Sequence, residues 1–189
     1  MIIKQIAIGN EIEGFVESSF SEGFNIISSD DNNKGKTIVI QGILYALGNE
    51  PPAFPSSFDY KQYIYILQFE ESGQEYWICR KNNEFAIYNN ESLFLAESIS
   101  EFKRYWDKNI FSLPRIMVNN IERIVDPSLL LQLFFVGQDK KSTDNIENRG
   151  LYKKVDFYNM IFEIAGLGSI KLNQGELTLA KQKLKNLKE

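Results

Sequence analysis

The chain has 189 residues, 43% hydrophobic and 24% charged, the balance of a globular domain that can bury a core, with room for a short appendage. A formal net charge of -4 gives no global pull toward nucleic acid, although local basic patches depend on distribution. One cysteine (Cys79) and no histidine exclude an internal disulfide, a Cys/His zinc site and a Cys/His nucleophile.

The opening Met1-Ile2-Ile3-Lys4-Gln5-Ile6 is too short and too mixed for the apolar stretch of a signal peptide. No apolar run approaches the roughly 18 residues needed to span a bilayer, so a cytoplasmic protein without a membrane partner is expected. Ile2 to Ile8 is rich in β-branched residues and predicts a first strand. After a polar connection through Gly14, Ser18, Ser19 and Ser21, Phe24-Asn25-Ile26-Ile27 predicts a buried strand feeding a loop. From Thr37 the pattern turns helical: Ile38, Ile40, Ile43, Leu44 and Leu47 recur at helical spacing, and Gly48 supplies a stop. This is a strand–loop–helix unit.

Pro51, Pro52 and Pro55 prevent the helix from continuing, because each lacks an N–H and restricts its predecessor. Tyr63 to Glu70, Tyr76 to Lys81 and Phe85 to Tyr88, separated by Gly73 and Asn82-Asn83, predict an antiparallel meander. Ser98-Ile99-Ser100-Glu101 fits a capping box before a helix carrying Phe102, Tyr105 and Trp106. Lys103 and Arg104 beside those aromatics read either as a nucleic-acid surface or as the solvated face of a helix whose aromatics are buried. Asp126-Pro127 places an N-cap residue before a proline at the first helical position, followed by Leu129 to Leu133. The polar segment Asp139 to Arg149 leads to an amphipathic helix with Val155, Tyr158, Met160, Ile161 and Ile164. Finally Ile170, Asn173, Leu177, Ala180, Leu184 and Leu187 alternate steps of three and four, the seam of a heptad repeat or of a terminal amphipathic helix. The repeat meets no cap or breaker before Glu189, which predicts an arm that continues. Lys140-Lys141, Lys153-Lys154 and Lys181, Lys183, Lys185 and Lys188 are candidates for phosphate-backbone contact or for a solvated face.

The segment from Asp30 to Thr37 carries the chemistry. It matches G-x-x-x-x-G-K-[ST] at every fixed position except the first, where Asp30 replaces glycine. A loop between strand and helix turns successive backbone N–H groups inward, and the helix start adds its own donors and positive dipole end. Asn32, Asn33, Lys34 and Gly35 would supply backbone to phosphate, Lys36 would reach the β- and γ-phosphates, and the Thr37 hydroxyl would bind Mg²⁺. Asp is among the few residues other than glycine that tolerate positive φ, but its charge opposes a triphosphate. The alternative is a Gly-Lys-Thr at an ordinary helix start, or a degenerate loop that no longer binds ATP.

With Phe24-Asn25-Ile26-Ile27, the Asn32-x-x-Gly35-Lys36-Thr37 core and Ile43-Leu44-Tyr45-Ala46-Leu47-Gly48, the chain resembles the amino-terminal lobe of SMC-like ABC ATPases, the class that includes recombination and double-strand-break repair heads. That likeness implies ATP-driven head dimerisation on DNA, in DNA repair and maintenance or in antiphage defence. The resemblance implies an α/β fold, a P-loop NTPase head lobe of ABC type over residues 1–168 with an antiparallel β-meander subdomain, and the start of a coiled coil over 169–189. In Phe135-Val136-Gly137-Gln138-Asp139-Lys140 it implies a glutamine loop, with Gln138 contacting Mg²⁺ or placing the attacking water; an ordinary surface glutamine is the alternative. The Gln138-Asp139-Lys140 trio is similar to SMC-like ATPases of bacterial antiphage defence, Lamassu-type systems among them. The implied cofactors are ATP and Mg²⁺. The implied partners are a carboxy-terminal head lobe, a second head as homodimer, DNA, and accessory or effector subunits. The Asp-Glu pair and the Ser-Gly-Gly signature that such heads use are absent from this sequence, so binding is expected of it before turnover.

Overall fold

The computed structural model describes residues 1–28, 30, 35–50, 52–118, 121–135 and 154–167. The chain divides into two compact units, Met1–Ser112 and Leu113–Glu189.

In the first unit, strands β1 (Ile2–Gly9) and β2 (Gly14–Glu17) form a hairpin. Its turn is tied by the Asn10 side chain, whose Oδ1 accepts the N–H groups of Ile12 and Glu13. Helix α1 (Lys36–Ala46) follows, then β3 (Ile64–Glu71), β4 (Gln74–Lys81), β5 (Glu84–Tyr88), β6 (Leu93–Ala96) and helix α2 (Ile99–Asn109). The strands build one six-stranded sheet in the order β2-β1-β3-β4-β5-β6, with every neighbouring pair antiparallel. The meander is therefore the expected one, extended by β6 at one edge and by the amino-terminal hairpin at the other. Between β3 and β4, Ser72 and Gly73 both take positive φ (52° and 80°), the two-residue turn whose twist matches the flanking strands.

Alternation along the strands sends Ile6, Ile8, Tyr65, Leu67, Phe69, Tyr76, Ile78, Phe85 and Ile87 to one face, where they are buried. Helix α2 closes the far end of that face. Phe102 stacks on Phe85 at 4.2 Å and Trp106 on Phe69 at 5.5 Å. Its start is a reciprocal cap: the Ser98 side chain accepts the Glu101 N–H, and the Glu101 carboxylate accepts the Glu97 N–H. Tyr105 stacks on Phe94 at 4.3 Å, so all three aromatics of this helix are engaged in packing. That favours the structural reading of Lys103 and Arg104 over a nucleic-acid surface. Phe102 is fully buried, and Phe102→Ala should cost about 3–5 kcal/mol, read as a lowered urea midpoint. A loss below about 1 kcal/mol would show that α2 does not depend on this anchor.

Helix α1 ends as expected. Gly48 takes φ 93°, and the N–H groups of Gly48 and Asn49 return to the Tyr45 and Leu44 carbonyls. The predicted strand at Phe24–Ile27 does not form. The segment makes no sheet ladder, and Phe24 and Ile26 are 87% and 76% exposed. A strand needs a neighbour to take its backbone groups, and none pairs with this segment among the described residues. The Asn25 side chain instead stitches a local turn, donating to the Ser21 and Gly23 carbonyls and accepting the Ser21 N–H.

The second unit holds a hairpin absent from the sequence reading, β7 (Arg115–Val118) with β8 (Ile121–Ile124), and helices α3 (Pro127–Leu130) and α4 (Lys154–Ile164). Asp126 occupies the N-cap of α3 with Pro127 at the first helical position, as expected. In α4 the buried stripe is Phe157 and Met160. Of the apolar residues expected to give this helix its face, Met160 is buried, whereas Val155, Tyr158, Ile161 and Ile164 are exposed. No helix among the described residues is long and apolar enough to cross a membrane. Asn32, Asn33, Lys34, Gln138 and the heptad segment 169–189 lie outside the described residues.

Candidate phosphate-binding site

The chain reaches α1 through Gly35, whose φ of 79° and ψ of 0° place it in the left-handed region. A Cβ built there would meet nothing within 4 Å, so the position favours glycine for its dihedral and not for space. Helical residues begin at Lys36 and Thr37, and the Gly35 carbonyl accepts the Val39 N–H at 3.1 Å. The leading N–H groups of a helix have no partner within it. Gly35 as the N-cap residue has no side chain to cap them, and no acidic residue stands in the first turn. This end is therefore a set of backbone donors with a lysine and a hydroxyl attached, the arrangement that a phosphate group complements.

Beside the helix start lies a cavity of about 340 Å³ that sequence reasoning missed. Gly35, Ile38 and Val39 border it on the helix side, Glu13, Gly14 and Phe15 on the hairpin side, and Phe58 and Tyr63 complete it. The last two rings stack at 4.6 Å with an interplanar angle of 28°. A turn of 3₁₀ helix at Tyr60–Gln62 delivers Tyr63 to this position. The Tyr63 hydroxyl donates to Glu13 at 2.5 Å, and that bond to the carboxylate pushes its pKa up. A flat aromatic shelf beside a helix start offers a stacking surface to a planar ring. The signal was present in Phe58 and Tyr63, but the sequence reading placed Tyr63 in a strand and took the Pro-rich stretch only as a helix breaker. A larger concavity of about 590 Å³ lies on the other side of the hairpin, against Ala7, Ile64 and Ile66, and carries no comparable chemistry.

Of the predicted site residues, Gly35, Lys36 and Thr37 stand together at the start of α1. Among the described residues no group of three or more His, Cys, Asp or Glu is placed to hold a metal. The Thr37 hydroxyl is a side-chain oxygen at the helix start that could serve as one ligand of a hard cation. Cys79 is half-buried and burial raises its pKa, which makes it a poor nucleophile.

No protein-family profile matches the chain. The chain is similar to Lamassu protein LmuB of Bacillus cereus (strain VD014), 28% identical over 102 residues that make up 53% of this chain and 18% of that protein. It is also similar to Lamassu protein LmuB of Bacillus sp. (strain NCIM 5461 / CCTCC AB 2011126 / NIO-1130), 20% identical over 171 residues, 87% of this chain and 30% of that protein. The chain spans less than a third of the length of these curated relatives. The similarity supports a Lamassu-like relationship.

Proposed function

We propose that this chain is the ATP-binding amino-terminal lobe of an SMC-like ATPase head that works in antiphage defence. The observation that carries the reading is the start of α1, entered through a left-handed Gly35 and opened by Lys36 and Thr37. The similarity to Lamassu protein LmuB supports the biological setting. The fold proposed for the completed head is the α/β P-loop NTPase type, in which Phe24–Ile27 becomes a strand against a carboxy-terminal lobe. The exposure of Phe24 and Ile26 supports that step, as does the exposure of Ile40 on α1. In this head the backbone from Asn32 to Thr37 holds the phosphates, Lys36 neutralises them, and Thr37 and Gln138 attend the Mg²⁺. Phe58 and Tyr63 take the base. Hydrolysis needs a carboxylate and a signature segment from a carboxy-terminal lobe, and ATP acts by drawing two heads together on DNA. Residues 169–189 begin the coiled-coil arm, and accessory or effector subunits read the engaged state.

The test is a calorimetric titration of the protein with MgATP, which should show saturable binding. Absence of saturable binding would leave a nucleotide-independent scaffold as the better reading. Within the same assay Asp30→Gly should tighten binding roughly threefold to tenfold, because a carboxylate near a triphosphate costs about 1 kcal/mol at intermediate dielectric. Equal or weaker affinity would assign Asp30 a supporting role in the loop.

A further inference from the structure

Arg80 lies on the core face of β4, where its neighbours Tyr76 and Ile78 are apolar, and it is 0% exposed. A buried guanidinium is costly unless every donor finds an acceptor. Its partners converge on one place, the end of α1. One Nη donates to the Tyr45 carbonyl at 2.5 Å and to the Asn49 carbonyl at 3.4 Å, while the other meets the Glu50 carboxylate at 2.5 Å. Nε donates to the Asn82 carbonyl in the β4–β5 turn at 2.8 Å. The guanidinium also lies over the Tyr45 ring at 3.6 Å and the Phe85 ring at 4.8 Å.

These acceptors do not all require Arg80. The Tyr45 carbonyl also accepts the Gly48 N–H, and the Asn82 carbonyl also accepts the Tyr45 hydroxyl. Glu50 is 41% exposed at its side chain and has access to water. What Arg80 adds is a fixed point, at the helix end where a positive charge is favoured.

The second fixed point is Gly42. A Cβ there would stand 2.7 Å from Ile8 Cδ1 and 3.4 Å from Tyr65, so at this residue the helix backbone sits directly on the Ile8 and Tyr65 side chains of the sheet, with no side chain of its own between. Along a helix rising 1.5 Å per residue, Gly42 lies roughly 9 Å from Lys36 and roughly 4.5 Å from Tyr45. A rigid tilt of α1 about this contact would move the Lys36 end, on the longer arm, further than the Tyr45 end, against the packing of Val39 and Gln41, which are also buried. Arg80 holds the short arm of that lever.

We infer that Arg80 is a positioning residue for the phosphate grip: by clamping the carboxy-terminal end of α1 to β4, it fixes where Lys36 and Thr37 meet the phosphates and Mg²⁺. The inference rests on the proposed ATP-binding function.

The experiment measures MgATP and metal-free ATP affinities for wild type, Lys36→Ala, Arg80→Met, Arg80→Lys and Glu50→Gln, each checked for a cooperative melt without nucleotide. Arg80→Met fills the same space without the clamp and should weaken MgATP binding at least tenfold. Its ratio of MgATP to metal-free affinity should fall toward one, because Thr37 leaves the metal. A role in stability alone would lower the melting temperature and leave that ratio unchanged. Arg80→Lys, which keeps the charge but not the fork, should lose about threefold. If Arg80→Met gives no cooperative melt, Glu50→Gln decides, with an expected twofold to threefold loss and the same fall in ratio. A folded Arg80→Met within twofold of wild type, or Glu50→Gln indistinguishable from it, overturns the inference. If wild type binds ATP through Lys36 and the Arg80 variants are unaffected, the positioning role alone fails. If wild type shows no saturable binding, the proposed function fails and the positioning role with it.

Discussion

Lys36→Ala should reduce MgATP affinity at least 100-fold, to the point where a titration of the intact protein shows no saturable binding. Lys36 is the first residue of α1, directly after the left-handed Gly35, so its side chain starts from the same turn as the leading N–H groups. A hydrogen bond to a charged group contributes about 1.5–3 kcal/mol, and charge attraction in a partly desolvated turn adds to it. Together these exceed the roughly 2.7 kcal/mol that corresponds to a factor of about 100. The same substitution should change the nucleotide-free melting curve little, because Lys36 is only half-buried at the end of the helix. Loss of binding with an unchanged melt locates the effect in the site and not in the fold. Unchanged affinity would remove the phosphate grip as a function of this turn.

What the sequence disclosed and what it withheld divide along a physical line. Features that depend on neighbours in sequence were legible. The cap of α2 is set by Ser98 and Glu101, the end of α1 by Gly48, and the β3–β4 turn was marked by Gly73. The meander followed from short runs between turn residues, and its register is the one that buries Leu67 against Ile78. The start of the candidate site was legible for the same reason, since Gly35, Lys36 and Thr37 are consecutive.

Features that depend on distant partners were hidden. Arg80 looks like a surface cation in sequence, and only the end of α1, thirty-five residues earlier at Tyr45, makes its burial tolerable. The aromatic shelf needs Glu13, Phe58 and Tyr63 to meet across as many as fifty residues. In α4 the apolar residues surround the helix, so periodicity could not choose between the stripe through Phe157 and the one through Tyr158. The β7–β8 hairpin was missed because its strands are four residues each and carry Arg115, Glu122 and Arg123.

The most informative disagreement is Phe24–Ile27, where composition demands a buried strand and the structure leaves it uncovered. We expect Phe24→Asp combined with Ile26→Asp to leave the stability of this chain alone within about 0.5 kcal/mol, because both side chains already face water. When the chain is co-expressed with the proposed carboxy-terminal lobe, the same double variant should abolish co-purification and ATP hydrolysis. Strand pairing there would bury two carboxylates among apolar side chains, at a cost of several kcal/mol each. The contrast between the two measurements carries the argument. Destabilisation of the chain alone would mean that Phe24 and Ile26 pack within this lobe. Retention of both assembly and hydrolysis would mean that the segment is a surface loop in the completed head as well. Loss confined to the assembled state would identify these apolar side chains as one side of an interface, with the phosphate turn a few residues further along the same chain.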